Sequence, residues 1–261
     1  GISGNTYFRR QMTCSGTSEY STAVLVRFAT PDYTSLPFAE SFETGWVDIC
    51  NTKDVPNNFW RNNPVTGNNS WRKNDDVTSA AWTSTASGAY TPVASAGSFS
   101  ARFHSWSATN GSKGQFDLYV NANTAEANKK LTFDYINNNG NDSLVIYVST
   151  NGGASFTRLD SVRTSTVWKT KTIIFTSSSA TTVVRFEAVS DDGTTDIGLD
   201  NINLIDFPDC SVEPIGGTVA STRTDVCNAT TPFTLSVRGG TDEVNALTYQ
   251  WQSSTDNVTW T

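Results

Sequence analysis

The chain carries its apolar residues in short alternating runs rather than at helical spacing. Phe99, Ala101 and Phe103 alternate with polar neighbours. Phe116, Leu118 and Val120 do the same, as do Leu131, Phe133 and Tyr135, and then Leu144, Ile146 and Val148. A period of two places each set on one face of a half-buried strand. Further strands are expected near 167–175, 181–189 and 196–205, and Thr124 to Lys130 has room for a single helical turn. Strands recurring at this spacing, without amphipathic helices between them, specify a sandwich or jelly roll. The stretch from 38 to 98 is broken by Asn-, Gly- and Pro-rich turns and predicts loops.

Two breaks divide the pattern. Thr30 to Pro37 and Phe207 to Gly217 gather prolines, glycines and turn formers. Before the first, residues 6–13 and Thr22 to Phe28 read as a hairpin. After the second, Thr231 to Val237 and Leu247 to Ser253 read as strands, the latter containing Trp251. A two-stranded hairpin buries no core of its own. The expected organisation is therefore 1–30 as the closing part of one domain, 36–207 as a complete domain, and 210–261 as the opening part of another.

Composition sharpens this picture. Of 261 residues only 16% are charged, while 37% are hydrophobic and 11% aromatic, enough for sandwich cores. The net charge of −7 supplies no basic surface for nucleic acid. No apolar run is long enough to cross a membrane as a helix. The four cysteines form no CxxC pair and the single histidine is His104, which excludes a zinc cluster. Disulfides in an oxidising compartment and reduced buried thiols both remain open readings of these cysteines. No catalytic constellation emerges, and an enzyme is not expected. Trp60, Trp71, Trp82 and Trp106 sit in loop-rich sequence, either as plugs of the sandwich or as a stacking platform for glycans.

Several motifs carry a family resemblance. Leu36-Pro37-Phe38-Ala39-Glu40-Ser41-Phe42-Glu43, Ser98-Phe99-Ser100-Ala101-Arg102-Phe103-His104, Leu131-Thr132-Phe133-Asp134-Tyr135 and Thr195-Asp196-Ile197-Gly198-Leu199-Asp200-Asn201-Ile202 follow one another in order. Together they resemble the MAM-like jelly-roll modules, related to cleaved adhesins, of Bacteroidetes surface proteins. Val226-Cys227, Leu247 to Ser254 and Met12-Thr13-Cys14 are similar to strands of Ig-like repeats. The resemblance implies an all-β fold: a jelly-roll β-sandwich flanked by partial Ig-like domains.

It also implies an extracellular surface adhesin or filament segment exported by type IX secretion. The alternatives are a carbohydrate-binding module of a secreted hydrolase and a self-assembling fibre subunit. The expected partners are surface glycans or other extracellular ligands, neighbouring domains of the same chain, and further copies through self-association. Calcium is the implied cofactor, held by Glu43 and Asp200 on the first and last strands with Asp75 and Asp76 contributing oxygens. A Cys50–Cys210 disulfide would clamp the ends of the jelly roll, while Cys14 and Cys227 would find partners elsewhere. Asp142-Ser143-Leu144 and Asp160-Ser161-Val162 resemble the O-glycosylation signal of Bacteroidetes secreted proteins, with sugars expected on Ser143 and Ser161.

Overall fold

The computed structural model describes residues 5–26, 30–49, 51–74, 82, 89–138, 141–193, 195–210, 213–227, 230–242, 244 and 247–261. Within them the secondary structure is all strand, and no helix is long and apolar enough to cross a membrane. Residues Thr124 to Lys130 form a bend that runs into a strand, not a helical turn. Two antiparallel pairs open the chain. Strand β1 (Thr6–Phe8) pairs with β4 (Val24–Val26), and β2 (Gln11–Cys14) pairs with β3 (Thr17–Tyr20) across the Ser15-Gly16 turn. The single strand read over 6–13 is thus two.

The central domain uses fourteen strands among the described residues, twelve in two facing sheets and two in a separate antiparallel pair. Six are short: β5 (Thr34–Ser35), β6 (Phe38–Glu40), β7 (Val47–Ile49), β8 (Thr52–Val55), β9 (Trp60–Asn63) and β10 (Trp71–Lys73). These occupy the stretch that its turn residues marked as loop. The eight that follow are longer on average: β11 (Ala101–His104), β12 (Lys113–Asn121), β13 (Asn128–Asn137), β14 (Ser143–Ser149), β15 (Thr157–Val162), β16 (Ser165–Thr176), β17 (Thr182–Val189) and β18 (Asp196–Asp206). One sheet runs β10-β11-β18-β13-β16, with β6 also on β18. The other runs β15-β14-β17-β12-β5, with β9 also on β12. Neighbours in chain order, such as β12 and β13, lie in opposite sheets, and this exchange is what the jelly-roll reading requires.

The period-two pattern is the core. Phe116, Leu118 and Val120 from β12 face Leu131 and Phe133 from β13, together with Ile146, Phe186, Leu199 and Leu204, all fully buried. Trp60 stacks on Phe116 at 4.4 Å between ring centroids, and Phe133 meets Phe186 edge-on at 5.2 Å. Trp71 lies over Phe116 at 5.8 Å and donates its indole N–H to the Gly114 carbonyl at 2.9 Å. Gly114 has no room for a side chain, since a Cβ there would run into the Phe103 ring and the Asn69 carbonyl.

Beyond the sandwich, β19 (Thr218–Ser221) pairs with β20 (Leu235–Arg238). The strand read over 247–253 does not form. That segment instead lines an open apolar groove of about 980 Å³ with Ile215, Val237, Tyr249 and Trp251.

Candidate functional site

Alternation along the second sheet sends a distinct set of side chains to its outer face. Strand β12 contributes Lys113, Gln115, Asp117 and Tyr119; β17 contributes Arg185 and Glu187; β14 contributes Val145 and Tyr147. The register aligns them in rows across the strands. One row reads Arg61, Asp117, Arg185, Tyr147 and Arg158. The next reads Asn63, Gln115, Glu187, Val145 and Ser161.

These rows are bonded internally. Arg185 donates Nε–H and Nη2–H to the two Asp117 oxygens, each at 2.7 Å. Its guanidinium lies 3.7 Å from the Phe156 ring centroid. Glu187 accepts from Lys113 Nζ and Gln115 Nε2, both at 2.8 Å, and Gln115 in turn accepts from Asn63 Nδ2 at 2.8 Å. Burial under these longer side chains pushes the Asp117 carboxyl up, against the pull of Arg185. Tyr33 closes one end, edge-on to Tyr119 at 5.4 Å. The result is a fixed surface of half-exposed rings set among planar polar groups. It is suited to binding and carries no nucleophile–base pair.

Burial separates the two readings of the tryptophans and corrects the platform for three of them. Trp60 and Trp71 are 0% exposed and Trp82 is 3% exposed; Trp106 alone of the four reaches solvent, at 40%. Trp60 and Trp71 plug the core. Trp82 is held outside the first sheet, with the Arg72 guanidinium 3.2 Å from its centroid and the His104 ring at 5.0 Å. His104 Nδ1 bonds Asp196 at 2.9 Å, and Arg102 pairs with the same carboxylate, so His104 belongs to a buried ionic cluster.

Glu43 and Asp200 do come together, on a single loop. Asp200 Oδ2 accepts from the amides of Ser95 at 2.8 Å and Ala96 at 3.1 Å, and Oδ1 accepts from Asn201 at 2.8 Å. Glu43 Oε1 accepts from the amides of Ser98 at 2.9 Å and Phe99 at 3.0 Å. Burial raises Asp200 to about 6. Its ladder neighbour Asp134 is held low despite burial, because Thr170, Asn201 and Ser95 all donate to it. Asp75 and Asp76 lie outside the described residues, and so does Cys50. Cys14, Cys210 and Cys227 are exposed, which corrects the reading of buried thiols. Ser143 and Ser161 both stand on the outer face of the second sheet, Ser161 directly across from Val145. This candidate face escaped sequence reasoning. Its residues are the polar partners of the alternating runs, and only strand register shows that they align.

The MAM domain (meprin/A5/mu) family model matches residues 41–211, about two thirds of the chain. The chain belongs to this family. A domain of unknown function (DUF8696) matches residues 215–261, following the MAM domain. No curated protein matches this chain. Among solved structures, the MAM region is similar to a cleaved-adhesin domain of Lys-gingipain from Porphyromonas gingivalis. The identity is 16%, with 64% of this chain and 96% of that one covered and a TM-score of 0.43. The CBM22-1 xylan-binding domain of Paenibacillus barcinonensis Xyn10C is also similar, at 12% identity, 67% and 96% coverage and a TM-score of 0.40. A family 22 carbohydrate-binding module of Clostridium thermocellum Xyn10B matches at 15%, 68% and 96%, with a TM-score of 0.40.

Proposed function

We propose that this chain is a non-catalytic binding segment of an extracellular, multidomain surface protein, and that its MAM domain holds glycans on the outer face of the second sheet. The observation that carries the reading is the Asp117–Arg185 ion pair, with Tyr147 across the ladder from Arg185 and with Tyr119 and Tyr33 beside it. A sugar ring presents an apolar face to an aromatic side chain and hydroxyls to planar polar groups. This face offers both kinds of partner in fixed positions, so little side-chain entropy is lost on binding. Two consecutive domain matches in one chain support modular organisation, and the charge balance suits a secreted surface.

A glycan array probed with the full 261-residue chain tests the proposal. Selective binding is expected, with loss of signal in Tyr147→Ala and Tyr119→Ala and retention in Trp106→Ala. Binding that survives both tyrosine substitutions, or no binding to any glycan, overturns it.

A further inference from the structure

The loops joining β11 to β12, β13 to β14 and β17 to β18 meet at one place. Ser190 Oγ donates to the Ala108 carbonyl at 2.9 Å, and Gly111 N donates to the Ser190 carbonyl at 2.8 Å. Asp142, 3% exposed, accepts the Asp191 amide on Oδ1 at 2.7 Å. Asp191 reciprocates, accepting the Asn141 and Gly193 amides at 2.8 Å each. The two carboxyl groups stand within hydrogen-bonding reach of one another, and the Ser105 hydroxyl stands within reach of Asp142.

Three buried side-chain oxygens of the cluster have no hydrogen-bond partner. Asp142 Oδ2 is buried without one. Ser105 directs its single proton to the backbone carbonyls of Thr195 at 2.9 Å and Gly193 at 3.2 Å. Asn137, 1% exposed, gives its amide N–H to the Asp142 carbonyl at 3.0 Å, while its own Oδ1 is buried and unbonded. Thr195 Oγ1 is likewise buried and unbonded. Each buried polar atom without a partner carries an uncompensated loss of hydration. Two adjacent carboxylates add mutual repulsion. A positive ion answers both deficits at once.

We propose that Asp142 and Asp191 bind a divalent cation of the calcium class, with the oxygens of Ser105, Asn137 and Thr195 as neutral ligands. Hard cations take oxygen ligands of mixed charge and fill vacant positions with water. No group of three or more His, Cys, Asp or Glu side chains gathers as a metal cluster among the described residues, so this site relies on two carboxylates and neutral oxygens. Asp142 Oδ2 is the carboxylate oxygen left without a donor for it.

Calorimetric titration of calcium chloride into the full chain at pH 7.5 tests the site. Wild type and Glu43→Ala are expected to bind one equivalent with similar affinity, and Asp142→Asn about tenfold or more weakly. Asn at 142 is isosteric with the acid and keeps an acceptor for the Asp191 amide. Its melting temperature in chelator should stay at or above that of wild type, which separates lost binding from lost fold. No calcium binding by wild type, equal binding by Asp142→Asn, or loss in Glu43→Ala alone overturns the assignment.

Discussion

Individual residues here are governed by how burial treats charge. Asp196 is fully buried between Arg102 and His104, so removing it strands a guanidinium in the interior. Asp196→Ala should lower unfolding free energy by about 3–5 kcal/mol in denaturant titration. Asp142 and Asp200 are raised to about 7 and about 6 by burial. A carboxyl whose folded pKa lies above its unfolded one stabilises most when protonated. Its contribution is present below the unfolded value near 4 and is lost as pH rises through 6 to 7. In chelator, the melting temperature should therefore climb as pH falls from 8 to about 5, and the climb should be shallower in Asp142→Asn. A flat wild-type profile would count against these burial effects. The acids that hydrogen bonds hold low, Asp134 and Asp191, set the opposite trend only at more acidic pH.

At the scale of elements, the long strands were legible and the short ones were not. Phe116, Leu118 and Val120 or Leu144, Ile146 and Val148 declare a buried face because alternation over five or more residues repeats the same choice. Strands of three or four residues, such as Trp60–Asn63 and Trp71–Lys73, hold too few positions to show a period. They form because Trp60 and Trp71 are drawn onto Phe116, a tertiary cause that no local pattern carries. The same limit hid the outer face, since a row such as Asp117–Arg185–Tyr147 draws on residues from three separate strands. Close approach of elements is equally a tertiary demand. Gly114 sits where β12 meets the Phe103 ring and the Asn69 carbonyl. Gly114→Ala should destabilise by about 1–3 kcal/mol through overpacking, read from the denaturation midpoint at unchanged slope.

On the scale of the whole molecule, one sheet face carries both the proposed binding rows and the serines that resemble a glycosylation signal. The serines with an O-glycosylation resemblance, Ser143 and Ser161, share the outer face of the second sheet with Tyr147 and Arg185. Sugars attached there would stand over the proposed binding rows. If both occur, chains carrying the modification should bind fewer array glycans than unmodified ones, and Ser161→Ala should remove part of the difference. The flanking segments add exposed apolar surface, including Tyr7, Val24, Tyr249 and Trp251, in sheets of only two strands or in none.

The pairing of β6 with β18 bears on how such a module carries load. Phe38 lies opposite Leu204 and Glu40 opposite Ile202, so the strand that follows β5 runs beside the last strand of the sandwich. Once the two-residue pairing of β5 with β12 has yielded, a pull on both ends of the domain is applied to two adjacent strand ends at one pole. It opens their three-residue ladder a rung at a time instead of shearing the sheets. The sandwich would then hang from the line of tension like a pendant, with the proposed binding face of the second sheet outside the path of the load.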